Sequence, residues 1–387
     1  MAFGQNMHRC TSKCGGRIAA VRVGGLNRLG DRMQHNAYDH VIIGSTPLAG
    51  LVAGLLKREH GKRVCLVAEP FSSFGLERRF DLSIDLVTRP ETLILLKRLG
   101  AETLKLIGGI GRNLTERVDP LLIAETRASM AALGHFQHLA QLLEFPVERL
   151  ADRTISEGSL LRVRGQHLIA HHRFAPALEA WLDAAEVRRL DPDDTGITLR
   201  KDGTARIVAG SFEVEAAQVL LADDAAVLAH LPPDAWDRAI TRNTSIALLL
   251  QPAKPAPNPF SLWLDRGLAL RQEPKGSLAA TLSGDRDSAE ARVASAAPRS
   301  LPLRRAGEAR FASLRTSDGA PLLALARSLK VTHLAGFGLA GAFYAPAIAR
   351  QLAGIATEDE AAWFAAHGAT RGNLRLNVAE FNAATLA

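Results

Sequence analysis

A strand, a glycine-containing turn, a helix and a second strand follow one another between Tyr38 and Glu69, and no other feature of the chain constrains its fold as strongly. The run Y-D-H-V-I-I-G is short, apolar and rich in β-branched residues, as a buried parallel strand is. Pro47 then stands at a first helical position, and apolar residues recur at helical spacing until Gly61. Because K-R-V-C-L-V-A-E has the composition of a second strand, the segment predicts a βαβ unit.

The turn of such a unit is suited to an anion, because backbone N–H groups and the positive end of a helix meet there. In dinucleotide sites the turn has the pattern G-x-G-x-x-G, whereas this chain has G-S-T-P-L-A-G, one residue longer and without the middle glycine. An acid that ends the second strand accepts hydrogen bonds from a ribose, and Glu69 stands one position later than a strict count requires. By itself the motif leaves two interpretations open, a pyrophosphate site and a purely structural turn.

A second glycine-rich turn lies near the other end of the chain. From Val331 the sequence V-T-H-L-A-G-F-G-L-A-G-A-F-Y-A-P-A-I-A predicts a strand, a turn containing Gly336, Gly338 and Gly341, and then an amphipathic helix. Closely spaced glycines allow close approach of the backbone, and the helix start offers a second positive end for an anionic or electron-rich atom. The Asp-Gly pair at Asp318 marks the preceding turn.

Together the two segments resemble the FAD-dependent oxidoreductases of the D-amino-acid oxidase and glycine oxidase type, of which this chain is identified as a divergent member. The middle section, residues 164–185 and 197–225, is similar to that family's helix followed by a strand hairpin. The resemblance implies FAD as cofactor. It places the pyrophosphate at the turn with Gly44, Ser45, Pro47 and Gly50, and the adenosine ribose near Glu69. The turn with Gly336, Gly338 and Gly341 would then lie beside the isoalloxazine and ribityl chain.

The chain departs from the family pattern at three places. The front turn is lengthened, and the A-T-G that usually ends the middle strand is replaced by Ala222-Asp223-Asp224. The family's substrate-clamping arginine, expected five residues before the Asp-Gly pair, is Ser313 here. Arg315 takes its place if the strand has a different register, and Tyr344 is a candidate flavin-side contact.

The predicted fold class is α/β, with an α+β second domain. The resemblance implies a discontinuous Rossmann-like FAD-binding domain and a mostly antiparallel substrate domain. The FAD domain is assigned to residues 38–90, 151–235 and 318–387, the substrate and helical domain to 91–150 and 236–317, and a disordered basic tail to 1–37. The proline-rich run 252–259 is expected to separate two strands of the substrate sheet.

The net charge of +7 lies mostly in the tail, since residues 1–37 hold six Lys and Arg against one Asp, a net of +5. The body is therefore nearly neutral, and without a basic cluster interleaved with aromatics it gives no sign of a nucleic-acid partner. The tail resembles a transit peptide in composition; the alternatives are a disordered segment or translation from Met33. Apolar runs are too short to span a bilayer, so no integral membrane segment is expected.

The cysteines and histidines of the chain allow few site predictions. Cys65 is expected to be a core thiol in a reducing, cytoplasmic setting. Cys10, Cys14 and His8 have no second ligand pair at zinc spacing, so no metal is predicted. His167, His171 and His172 flank a helix start, where capping or solvation is the alternative to catalysis.

The remaining candidates each have a structural and a functional interpretation. Arg78 and Arg79 are either a solvated pair or contacts to FAD phosphates, and Trp263 is either a core residue or the floor of a substrate pocket. Thr88 and Glu91 are predicted to form a capping box that opens a helix from Glu91 to Leu99. A single helix is predicted from Pro120 to Glu144, for packing or for a partner surface.

The expected function is oxidation of a C–N bond of a small amine or amino acid by hydride transfer to FAD, with the protein positioning the substrate. One alternative is a chain that kept the fold and lost the cofactor or turnover, acting as a subunit of a protein partner or as a binding protein. Another is a flavin monooxygenase or dehydrogenase on the same fold.

Overall fold

The computed structural model describes residues 38–72, 75–150, 158–252, 255–256, 258–273, 275–284, 286–296 and 303–368. The predicted basic tail and the residues Cys10, Cys14 and His8 lie outside these ranges.

The described residues form β-strands and α-helices in alternation, followed by a long all-β section and a helical end. The strands are β1 (Tyr38–Ile43), β2 (Val64–Val67), β3 (Thr115–Val118), β4 (Leu121–Ala124), β5 (Val147–Leu150), β6 (Ser159–Val163), β7 (Gln166–Ile169), β8 (Arg188–Leu190), β9 (Gly196–Leu199), β10 (Ala205–Ala209), β11 (Phe212–Leu221), β12 (Ile240–Pro252), β13 (Phe260–Trp263), β14 (Leu268–Gln272), β15 (Leu278–Ser283), β16 (Leu303–Thr316), β17 (Leu322–Leu325) and β18 (Thr332–Ala335). The helices are α1 (Pro47–Arg58), α2 (Pro90–Ile110), α3 (Arg127–Leu142), α4 (His171–Ala184), α5 (Asp224–His230), α6 (Arg286–Ala296), α7 (Ala345–Ala353) and α8 (Glu358–Ala366).

The first sheet has the strand order β17-β18-β11-β1-β2-β8, and the predicted βαβ unit lies at its centre. β1 is parallel to both β2 and β11, with Val41 opposite Cys65 on one side and Val219 on the other. Every residue of β2 and most of β1 are buried, which explains the continuous apolar runs. The strand hairpin that the resemblance implies for residues 197–225 forms as β9, β10 and β11, an antiparallel extension of this sheet.

The second sheet has the order β16-β12-β15-β14-β13-β4-β6-β5 and is antiparallel except between β13 and β4. The mostly antiparallel sheet predicted from the sequence is therefore confirmed, and the proline-rich run does separate β12 from β13. By sheet membership β6 belongs here, although the sequence assigns residues from 151 onward to the FAD domain. The domain boundaries themselves remain a prediction.

Helices α4 and α7 pack against α1 on one face of the first sheet, within a single apolar cluster. Gly50 and Gly54 of α1 permit the close contact with α4, since a Cβ on Gly50 would lie 2.6 Å from Leu178 Cδ2 and one on Gly54 would lie 1.8 Å from the Trp181 ring. Among the described residues, no helix is both long and apolar enough to cross a membrane.

Two local predictions are wrong. The predicted helix start is displaced: α2 begins at Pro90 and extends to Ile110, and its N-cap residue is Arg89 rather than Thr88, with no side-chain capping bond from Arg89. Thr88 is instead buried, with its carbonyl oxygen 2.9 Å from His135 Nε2.

The predicted helix from Pro120 to Glu144 is likewise two elements. Its first apolar residues, L-L-I-A, form β4 between β13 and β6, and α3 starts at Arg127 behind a capping box made by Thr126 and Ser129. The Asp265 carboxylate accepts hydrogen bonds from the backbone N–H groups of Glu125 and Thr126. This long-range partner ends the strand and turns the chain into the helix.

Candidate cofactor and substrate site

The front glycine turn follows β1 and is closed by side chains of the protein itself. Gly44 is buried with φ +154, and a Cβ there would lie 2.9 Å from Asp223 Oδ2, so the position favours glycine. The Ser45 N–H donates to Asp223 Oδ2 at 2.7 Å, and Ser45 Oγ accepts from the Glu69 N–H at 2.8 Å. Thr46 caps α1, with Pro47 at its first position. The Asp223 carboxylate is therefore an anionic acceptor already bound to a backbone N–H of this turn.

The two aspartates after β11 have different partners. Asp223 caps α5, since its Oδ1 accepts from the Ala226 N–H at 2.9 Å while Oδ2 accepts from Ser45. Asp224 Oδ2 lies 3.5 Å from Arg79 Nη2 and accepts from the Leu314 N–H at 3.1 Å. Burial raises the pKa of Asp224, against the opposing effects of Arg79 and of the Leu314 N–H. Arg79 therefore offsets only part of the burial cost of Asp224. Asp223 is held by N–H donors.

The back glycine turn shows the same arrangement. Gly336 and Gly338 both have left-handed backbone, and a short 3₁₀ helix from Gly341 to Tyr344 leads into α7. The Leu339 N–H donates to Asp85 Oδ2 at 2.9 Å, and the Ala342 N–H donates to Asp81 Oδ1 at 3.2 Å. Carboxylates of the segment 75–88 therefore bind the two N–H groups.

Asp81 also connects the back turn to a buried charge network. His171, the first residue of α4, has its Nε2 at 2.9 Å from Asp81 Oδ2. Burial acts to lower the pKa of His171, but the hydrogen bond and the negative charges of Asp81 and Glu77 outweigh it and raise that pKa. Arg271 of β14, 1% exposed, lies nearby with three carboxylates within 3.0–3.4 Å, those of Glu77, Glu116 and Glu273.

A cleft of about 140 Å³ lies between the back turn, the segment from Arg78 to Asp85, and the second sheet. Gly336, Gly338 and Leu339 line one side, and β12, β15 and β16 line another. Its cations are Arg78, Arg79 and Arg315, and its acids are Asp85 and Asp224. Burial and the charge of Arg292 lower the pKa of Arg315, so its guanidinium is poorly solvated.

The structure brings Gly336, Gly338, Arg315, Arg78 and Arg79 together in this cleft. Gly341 is buried beside it, where an added Cβ would lie 3.5 Å from Arg79 Nη1. Gly44, Ser45, Pro47 and Glu69 lie instead at the front turn, where Ser45 Oγ accepts from the Glu69 N–H.

Several other predicted residues lie away from the cleft. Tyr344 is 2% exposed and sits in an aromatic group, with its ring centroid 5.4 Å from those of both Phe337 and Trp363. Trp263 packs in a core cluster with Arg266 over its ring. Cys65 is a buried free thiol whose pKa burial raises to about 12. His172 is exposed on α4.

Sequence reasoning missed the three carboxylates that bind the turns. Asp81 and Asp85 carry no signal of their own beyond an acidic pair in a D-x-x-x-D spacing, and Asp223 stood out only as a departure from A-T-G. The glycines and strand ends fit FAD, since they leave backbone N–H groups at two turns of one sheet edge. The donors fit it only in part, because Ser45, Leu339 and Ala342 already donate to carboxylates.

Neither the comparison with protein-family models nor that with curated protein sequences finds a match. Solved structures do match. Glycine oxidase from Geobacillus kaustophilus has a TM-score of 0.65 at 15% identity, covering 87% of this chain and 99% of its own. L-proline dehydrogenase from P. horikoshii also has a TM-score of 0.65 at 15% identity, and the match covers 85% of this chain and 96% of the dehydrogenase. NikD, described as an unusual amino acid oxidase essential for nikkomycin biosynthesis, has a TM-score of 0.63 at 16% identity, and the match covers 82% of this chain and 94% of NikD.

These similarities extend over nearly the whole length of each solved structure. At such low identity they establish the fold: the chain has the two-domain architecture of these two oxidases and of the proline dehydrogenase. The predicted fold class and the resemblance to the glycine oxidase type are confirmed at that level.

Proposed function

We propose that this chain is a flavin-dependent oxidoreductase that oxidises a C–N bond of a small amine or amino acid. The observation that carries the proposal is the placement of two glycine turns at the carboxyl ends of β1 and β18, which flank β11 in one run of parallel strands. In open α/β sheets, ligands bind at this edge. The fold shared with amino-acid oxidases supports the same reaction class.

The residues that would hold FAD follow from this placement. The front turn and the start of α1, with Gly44, Ser45 and Pro47, would receive the pyrophosphate, and the exposed carboxylate of Glu69 would receive the adenosine ribose. Gly336, Gly338 and Gly341 would let the back turn approach the isoalloxazine and ribityl chain. When bound, FAD supplies the hydride acceptor.

The cleft supplies the substrate contacts. Arg315 lies two residues beyond Ser313, whose hydroxyl is 2.7 Å from that of Ser245. We assign to Arg315 the binding of a substrate carboxylate, because Arg315 lines the cleft and burial has removed part of the hydration of its guanidinium. Phe80, Phe311 and Leu339 line the same cleft and would exclude water from the reacting carbon.

The test is reduction of the bound flavin. The protein is equilibrated with FAD under anaerobic conditions and mixed with single amino acids and with the amines that lack their carboxylate. Loss of visible flavin absorbance with at least one amine or amino acid is expected. Admission of air then separates an oxidase, which forms hydrogen peroxide, from a dehydrogenase, which does not.

A second function is favoured by one observation, the carboxylates that bind N–H groups at both turns. A chain that keeps the fold without the cofactor would satisfy its turn donors internally in this way. Such a protein would act as a subunit or binding protein. It would neither bind FAD nor gain thermal stability from it, whereas a flavoenzyme gains stability from its cofactor.

A further inference from the structure

The Asp223 carboxylate lies directly over the front turn. Its Oδ2 accepts the Ser45 N–H at 2.7 Å and would lie 2.9 Å from a Cβ on Gly44. Asp223 comes from the end of β11, the strand paired with β1, and the adjacent Ala222 N–H donates to the Ile43 carbonyl at 2.8 Å. The carboxylate is therefore held at the turn by sheet pairing as well as by its own hydrogen bond.

A carboxylate oxygen and a pyrophosphate oxygen make the same demand on a backbone N–H, since each is an anionic acceptor. One N–H cannot donate a full-strength hydrogen bond to a carboxylate and to a pyrophosphate at the same time. Two anions at the same helix end also repel one another. Arg79 pairs with Asp224, with its Nη2 3.5 Å from Asp224 Oδ2. The negative charge of Asp223 thus acts on the turn itself.

We propose that Asp223 is an internal competitor for the pyrophosphate position and sets the affinity of the chain for FAD. The inference rests on the proposed function, because it concerns the same cofactor at the same turn. It predicts that the natural chain binds FAD weakly and exchanges it with solvent. Removal of the one charge strengthens binding of phosphate-bearing flavins.

Asp223→Asn is the informative variant. Asparagine is as good an N-cap as aspartate, so Oδ1 can keep the Ala226 N–H and with it the start of α5. The second group of the side chain then becomes an NH₂ donor facing the Ser45 N–H, which leaves that N–H available to an anion. The substitution therefore converts an occupied anion position into one with two donors and leaves the local fold intact.

The experiment titrates wild type and Asp223→Asn with FAD and, separately, with riboflavin, which lacks the pyrophosphate, and follows flavin fluorescence. Asp234→Asn, which removes one exposed carboxylate further along the chain, is the matched control. Thermal unfolding shows that all three proteins are folded. The expected result is an FAD affinity at least about tenfold higher in Asp223→Asn, with riboflavin affinity unchanged and the control equal to wild type.

Equal FAD binding by wild type and Asp223→Asn overturns the inference and leaves the proposed cofactor intact. An equal gain for riboflavin also overturns it, because the effect would not depend on the pyrophosphate. Folded proteins that bind no FAD in any of the three forms overturn both the inference and the proposed function.

Discussion

The imidazole Nε2 of His171 lies 2.9 Å from Oδ2 of Asp81, a carboxylate that is almost fully buried. The other oxygen of Asp81 accepts the Ala342 N–H at the back glycine turn. One side chain therefore joins the first residue of α4 to the start of the helix after the back turn. The geometry of that turn depends on residues far apart in the chain.

The pairing of His171 with Asp81 predicts a pH-dependent stability. Because the folded pKa of His171 is raised, the pair stabilises the fold fully below the unfolded pKa of about 6.5, and this contribution is lost as pH rises through the folded pKa. The free energy of unfolding of wild type should exceed that of His171→Gln by more at about pH 6 than at about pH 9. Urea unfolding at both pH values measures the difference. His172→Gln, at the exposed neighbour, is the control, and a difference for His171→Gln that does not vary with pH would refute the pairing.

His333 predicts the opposite dependence. It is fully buried on β18, and burial lowers its pKa to about 4 against the opposing effects of the Asp237 charge and of the backbone of Val331 and Ala324. The unfolded chain therefore binds a proton that the folded chain does not between about pH 6.5 and pH 4. Over that range wild type should lose about 3 kcal/mol of stability from this residue.

His333→Leu should remove the part of the acid-induced stability loss that comes from His333. Urea unfolding at about pH 6.5 and at about pH 4 would show this. His138→Gln, at an exposed position on α3, should keep the wild-type dependence. Parallel curves for wild type and His333→Leu would mean that His333 is not held neutral in the fold.

The two glycines of α1 predict unequal costs for the same substitution. In Gly54→Ala the new methyl would overlap the Trp181 ring, whose nearest atom is 1.8 Å away, so a cost of about 1–3 kcal/mol is expected. In Gly50→Ala it meets the movable end of Leu178 at 2.6 Å, and the helix preference for alanine, about 1 kcal/mol, offsets much of the strain.

Thermal or urea unfolding of the two variants gives the comparison directly. Trp181→Leu should reduce the cost of Gly54→Ala in a double-mutant cycle. Equal costs at the two positions would contradict the contact between α1 and α4.

Arg315 predicts a selective effect on substrate binding. Arg315→Met should raise KM about 10–100-fold for a substrate amino acid, as expected for a lost charge-assisted hydrogen bond, and should leave the matching amine without a carboxylate nearly unchanged. Arg310→Met, at an exposed position on the same strand, is the matched control. A similar increase for both substrates would exclude carboxylate binding by Arg315.

Local patterns predicted the parts of the fold that depend on neighbours in sequence. The βαβ unit follows from apolar period and turn residues, whereas the strand hairpin of residues 197–225 follows from the family resemblance, and both form. The local pattern predicts a helix at L-L-I-A, whereas the segment is a strand between β6 and β13, and β13 lies more than a hundred residues away. Hydrophobic periodicity within a segment does not report which distant strand pairs with it.

The candidate site shows the same limit. The glycine turns are visible in the sequence because glycine is needed for their backbone, as the positive φ of Gly44, Gly336 and Gly338 shows. Asp223 contacts Ser45 across 178 residues, and Asp81 contacts Ala342 across 261. Such a pairing is set by the final topology, so only the structure shows that carboxylates bind N–H groups at both turns.

The most direct test of the account is equilibrium dialysis of the purified chain against FAD, with bound flavin read from its visible absorbance. Dialysis at equilibrium retains weakly bound cofactor that gel filtration would remove. Saturable, stoichiometric binding is expected, together with reduction of the bound flavin by an amine or amino acid. Folded protein that holds no flavin at about 1 mM FAD, a free energy of binding weaker than about 4 kcal/mol, would contradict it.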